Sequence, residues 1–104
     1  SGNKVHIIQN IDKRLPLESI AKAKGLTMEA LLEEMETIVM SGTRMDINYH
    51  LNDVLELDAQ EEIMEYFRGA ETDSIEDAHK EFDGDFSEEE LRLVRLRFLS
   101  EVGN

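Results

Sequence analysis

Between Leu15 and Gly42 the chain reads LPLESIAKAKGLTMEALLEEMETIVMSG, and no other run constrains the fold as much. Pro16 stands where a first helical turn begins, since its missing N–H would be unpaired there in any case. Ile20 and Ala21 follow on the apolar face, and Ala21 is small enough to let a second helix approach closely. Gly25 ends that helix at a position suited to a left-handed backbone. Leu26 plugs the turn, and Thr27 caps the next helix through its hydroxyl oxygen. Met28, Leu31, Leu32, Met35, Ile38 and Val39 then recur at three- and four-residue steps as one apolar stripe, closed by Gly42. Two helices joined by so tight a turn are the grammar of a helix-turn-helix, a unit most often used to grip duplex DNA.

The charge of the second helix runs against that use. It carries Glu29, Glu33, Glu34 and Glu36 and no Lys or Arg. A helix-turn-helix also expects an apolar residue thirteen places after Ala21, where this chain has Glu34. The whole chain has a net charge of −13, unevenly spread. Residues 1–50 hold 6 basic and 7 acidic side chains; residues 51–104 hold 5 and 17, a net of −12. A phosphate backbone is repelled by the second half. Any nucleic-acid contact is therefore expected at Lys13, Arg14, Lys22, Lys24 and Arg44. The plainer reading of those five is that they are solvated surface charges.

A length of 104 residues predicts one domain, large enough to stand without a staple. The absence of Cys removes disulfides, thiolate zinc sites and thiol nucleophiles, and it fits an intracellular protein. No apolar run approaches the ~18 residues of a membrane span, and no secretory leader is visible. Ser1-Gly2-Asn3 reads as a cloning scar or domain cut, so the chain is expected to be a fragment of something larger. Residues 4–52 form the expected helix-turn-helix core, and residues 53–104 an acidic helical part packed on it.

The remaining patterns fill in an all-α or nearly all-α fold of five or six helices, winged-helix-like in its core. Val5, Ile8 and Ile11, with Ile7, give helical spacing for a first helix. Met45, Ile47, Tyr49 and Leu51 alternate with polar residues, which predicts a short strand or extended segment where a winged helix keeps its wing. Asp58 with Glu61 suggests a capping box for a helix carrying Ile63, Met64 and Phe67. Ser74 with Asp77 starts another, and Ser87 with Glu90 opens a final helix from Glu88 to Glu101. Leu91, Val94, Phe98 and Val102 face one way on it, widened by Leu93, Leu96 and Leu99, and Glu88 with Arg92 makes an i,i+4 pair.

No constellation argues for catalysis. The segment His79–Glu90 puts Gly84 at the sixth and Glu90 at the twelfth place of a calcium loop, but His79 stands where the first carboxylate belongs. A glycine turn followed by a capping box accounts for the same residues, and no calcium binding is expected. His6, His50 and His79 are too scattered for a zinc site. The paired carboxylates read as solvated faces, and there is no phosphate-cradling loop or nucleophile elbow. No catalytic residue, metal ligand or cofactor is expected in this chain.

Pro16–Leu17, Ile20–Ala21, Gly25–Leu26, the Leu31–Leu32 stripe, Gly42 and Asp46–Ile47, followed by a helix after Leu57 and the closing SEEELRLVRLRF, together resemble one family. It is the C-terminal helix-turn-helix domain of bacterial RecQ-type DNA helicases, and the resemblance covers residues 5–99. It implies an accessory domain on an ATP-dependent enzyme that unwinds DNA in recombination and repair. ATP and Mg would be bound by the helicase core, the parent would be cytoplasmic and nucleoid-associated, and the domain's partners would be DNA, held weakly, and the rest of the helicase. Two other readings stand beside this one: a protein-interaction module using the acidic and apolar surfaces, and, less favoured, a free-standing transcription regulator.

Overall fold

Three consecutive apolar helices can bury their stripes only against one another and a cover. The computed structural model, which describes residues 2–103, supplies that cover from the far end of the chain. Its elements are α1 (Gly2–Asp12), α2 (Leu17–Ala23), α3 (Met28–Met40), α4 (Asn48–Val54), α5 (Leu57–Gly69), α6 (Ile75–Glu81) and α7 (Glu88–Val102). Among the described residues there is no strand, so the fold is all-α. Of the expected leading scar, Ser1 lies outside the described residues, and Gly2 and Asn3 open α1.

The helix-turn-helix is built as its residues dictate. Pro16 is the N-cap of α2. Gly25 adopts φ +67, which lets Leu26 N–H reach Ala21 O at 2.9 Å and Gly25 N–H reach Lys22 O at 3.1 Å. These two bonds satisfy carbonyls that a helix end leaves open. Thr27 Oγ1 accepts from Ala30 N–H at 3.0 Å, capping α3. The same pair of bonds ends α1, where Leu15 N–H reaches Asn10 O at 3.0 Å and Arg14, at φ 61, occupies the position usually given to glycine. His6 locks the first two helices together: Nε2–H donates to Ile20 O at 3.2 Å while Nδ1 accepts from Asn10 Nδ2 at 3.1 Å.

Leu31, Leu32, Met35, Ile38 and Val39 of α3 are buried with Ile20 and Ala21, and Leu26 is partly buried against them. On α1 the buried residues are Ile7 and Ile11, while Val5 is exposed, so the stripe runs through 7 and 11 rather than 5, 8 and 11. α7 lies across α3, α4, α5 and α6 and buries Leu91, Leu93, Val94 and Leu96. Residues spread so far round one helix mark it as the central element, not a one-faced surface helix. Phe98 and Leu99 are half-buried and Val102 is exposed.

Two expected elements are corrected. The segment 45–51 is not a strand: residues 43–47 run without regular structure into α4. Asp46 Oδ1 accepts from Asn48 N–H at 3.0 Å and starts the helix, and Ile47 and Leu51 are buried one turn apart. Apolar residues at i and i+4 satisfy period two and the helical period alike, which is why alternation misled here. Likewise α5 begins at Leu57 behind Glu56, with no side-chain cap, so the Asp58–Glu61 box does not form. The Ser74 and Ser87 caps do form, the latter as a full capping box with Glu90.

Candidate nucleic-acid interface

In a DNA-reading helix-turn-helix the N-terminal residues of the second helix meet base edges while the first helix crosses the backbone. α3 is the helix in the reading position, and its environment is hostile to phosphate. Its outer face presents Glu29, Glu33, Thr37 and Met40, all exposed. Its first turn shares a cleft with the first turn of α7, lined by Glu29, Leu32, Glu88, Glu89 and Arg92. Three carboxylates thus wall the end that would meet the bases, and nothing local in the chain signals that Glu88 and Glu89 stand there.

The four glutamates of α3 do not share one surface. Glu36 turns toward α7 and accepts from Arg92 Nε at 3.0 Å, Arg92 Nη2 at 3.1 Å and Arg95 Nη2 at 2.9 Å. Its side chain is 16% exposed, against 12% and 18% for the two arginines. Burial pushes the Glu36 carboxyl up, but the hydrogen bonds and charges of Arg92 and Arg95 outweigh it and hold the group below its ordinary range. Arg92, raised by the same contact, is thus committed to Glu36 and not to an i,i+4 bond with Glu88. Glu34 lines a small cleft with Lys4, Thr37, Ile38 and Ser41 beside α1, where its Oε2 is buried without a hydrogen-bond partner.

The basic residues divide sharply. All five from residues 51–104 are in ion pairs: Arg92 and Arg95 with Glu36, Arg68 and Arg97 with Glu61 and Glu101, and Lys80 with Glu76. Lys13, Arg14, Lys22 and Lys24 are exposed and make no ion pair among the described residues. They bracket α2, Lys13 and Arg14 just ahead of its N-cap, Lys22 in its last turn and Lys24 as its C-cap. A seven-residue helix is about 10 Å long, so two pairs of cations straddle the helix that crosses the backbone in such folds. Arg44 is set apart: it is already engaged and lines a cleft with Asp46, Arg97, Ser100 and Glu101. Lys4, exposed beside the C-terminal end of α3, is a further cation, one with no basic neighbour in α1 to mark it in the sequence.

Among the described residues no group of three or more His, Asp or Glu side chains is gathered as a metal-ligand set. In the loop considered for calcium, Asp83 takes the left-handed position after α6 at φ 52, and Glu90 Oε1 accepts from Ser87 N–H at 2.8 Å. Among the described residues no helix is long and apolar enough to cross a membrane.

A helix pair joined by the Gly25 turn, held by a first helix and capped at Thr27, defines the N-terminal half as a helix-turn-helix domain. Residues 1–51 match the family model described as RecQ-1-like, helix-turn-helix domain, so this part of the chain is similar to a RecQ-type helix-turn-helix domain. None of the curated proteins matches the chain.

Proposed function

We propose that the chain is the accessory C-terminal domain of a bacterial RecQ-like, ATP-dependent DNA helicase, lending weak contacts to phosphate while the core does the unwinding. Supporting this reading are the family match over residues 1–51 and, above all, the division of the cations. Those of the acidic half are neutralised internally, whereas Lys13, Arg14, Lys22 and Lys24 around α2 remain available. Arg44 adds to them only if DNA displaces its present neighbours. ATP and Mg belong to the core, which lies outside this domain, and the parent works in the cytoplasm at the nucleoid during recombination and repair.

The contact is positional and not sequence-reading. Neutralising Z phosphates makes log K fall with log salt at a slope of about −0.9Z, so four cations give a slope of roughly −3 to −4 and weak binding at physiological salt. Binding of the chain to duplex, forked and single-stranded DNA across a salt series tests this. The Lys22→Glu, Lys24→Glu double variant is expected to weaken binding equally on all sequences and to lower the slope by about 2. Tight, sequence-specific binding that depends on residues 28–37 would defeat the proposal and favour a transcription regulator.

A further inference from the structure

We infer that the corner between α4 and α5 is a docking site for a basic segment of a partner protein, one that inserts an apolar side chain between lysines or arginines. Val54, at the end of α4, is 43% exposed, and Leu57, at the start of α5, is 68% exposed. Both line an open cleft of about 530 Å³ that runs from Asn52 to Ala59. Single exposed leucines are ordinary, but two large apolar residues facing one cleft form a patch that water solvates poorly.

The cleft is preformed. Gln60, 1% exposed, donates from Nε2 to Asn52 Oδ1 and to Leu55 O, each at 3.0 Å, and accepts from Arg97 Nη1 at 3.4 Å. A buried amide with all these bonds made fixes the angle between α4 and α5, so a ligand meets a rigid surface and orders little on binding.

Charge says what the ligand is. Asp53 and Glu56 line the cleft and Asp58 stands beside it, all exposed, and none forms an ion pair among the described residues. Glu56 is the N-cap residue of α5, yet its carboxylate makes no cap bond and stays free for a partner. Nucleic acid and anionic lipid are repelled by such a rim, and a second copy would bring its own net charge of −13. A polypeptide bearing Lys or Arg on either side of an apolar residue matches both the rim and the floor. This site is separate from the cations around α2, so failure of DNA binding leaves it standing.

The full chain, labelled with nitrogen-15 and titrated with a short amphipathic peptide of leucine and lysine, tests the inference. The expected result is a set of amide shifts centred on residues 52–59, weakened by salt. Affinity is expected to fall about tenfold in Leu57→Ser and in the Asp53→Asn, Glu56→Gln double variant, with circular dichroism unchanged. The same peptide with glutamate for lysine is expected to leave these amides unmoved. Shifts spread evenly over every acidic helix, or an affinity indifferent to Leu57→Ser, would overturn the site. So would self-association through Leu57, or shifts at residues 52–59 caused by duplex DNA.

Discussion

A glutamate on the outer face of a groove-reading helix repels phosphate; the same residue clamped between two arginines becomes part of the frame. Glu36 is of the second kind, with three charge-assisted bonds of 2.9–3.1 Å linking α3 to α7. Its removal leaves Arg92 and Arg95 nearly buried with their charge uncompensated, and Arg95 already has Nε buried without a partner. Glu36→Gln is therefore expected to cost about 2–4 kcal/mol in urea unfolding at neutral pH. The pH dependence has a definite sign. Because the folded pKa of Glu36 lies below its ordinary value of 4.5, its contribution is complete above that value and is lost as pH falls through the lower one. The gap in stability between the native chain and Glu36→Gln is expected to narrow over that acid range. Parallel pH curves would show that Glu36 does not hold the two helices together.

At the level of elements, the stability of α3 rests on its stripe, and Leu31 is its fully buried centre. Leu31→Ala is expected to lower unfolding free energy by about 2–5 kcal/mol, while a truncation at exposed Met40 changes it by less than about 0.5 kcal/mol. Chemical denaturation of the two variants checks both figures. α2, α3 and their turn were legible because their signals are local: the Gly25 conformation, the Thr27 cap and the three-four spacing each act within a few residues. The Ser74 and Ser87 caps were legible for the same reason. What escaped depends on partners distant in sequence. α4 looked like a strand because Ile47 and Leu51 fit both periods, and only the Asp46 turn and burial on both residues select the helix. α7 looked one-sided because its cover comes from four other helices. At the candidate interface, the exposure of Lys13, Arg14, Lys22 and Lys24 follows from their charge, whereas the engagement of Arg44 and the wall of Glu88 and Glu89 beside α3 are matters of packing alone.

Across the whole molecule, the boundary of the RecQ-type match and the boundary of the folding unit do not coincide. The match ends at residue 51, inside α4, yet the helix that covers α3 begins at Glu88. Met45 reaches forward in the same way, its N–H and carbonyl both bonded to Ser100 Oγ at 3.4 Å. The far half has its own spine of rings, Phe98 on Phe67, Tyr66 beside Phe67 and Phe82, and Phe82 against Phe86, with centroids 5.2–5.6 Å apart. That spine fastens α5, α6 and the following loop to α7, so the acidic half holds α7 in place for the helix-turn-helix to lean on. A piece of about 50 residues is also near the lower limit at which a chain buries enough surface to fold alone. A fragment of residues 1–51 would expose the α7-facing flank of α3 and leave Glu36 without either arginine. It is expected to show weak helical circular dichroism and no cooperative melt, and the full chain is expected to melt in one transition. A fragment 1–51 that unfolded cooperatively near the melting temperature of the full chain would show that the two halves are independent, and that the acidic half is an attachment and not a support.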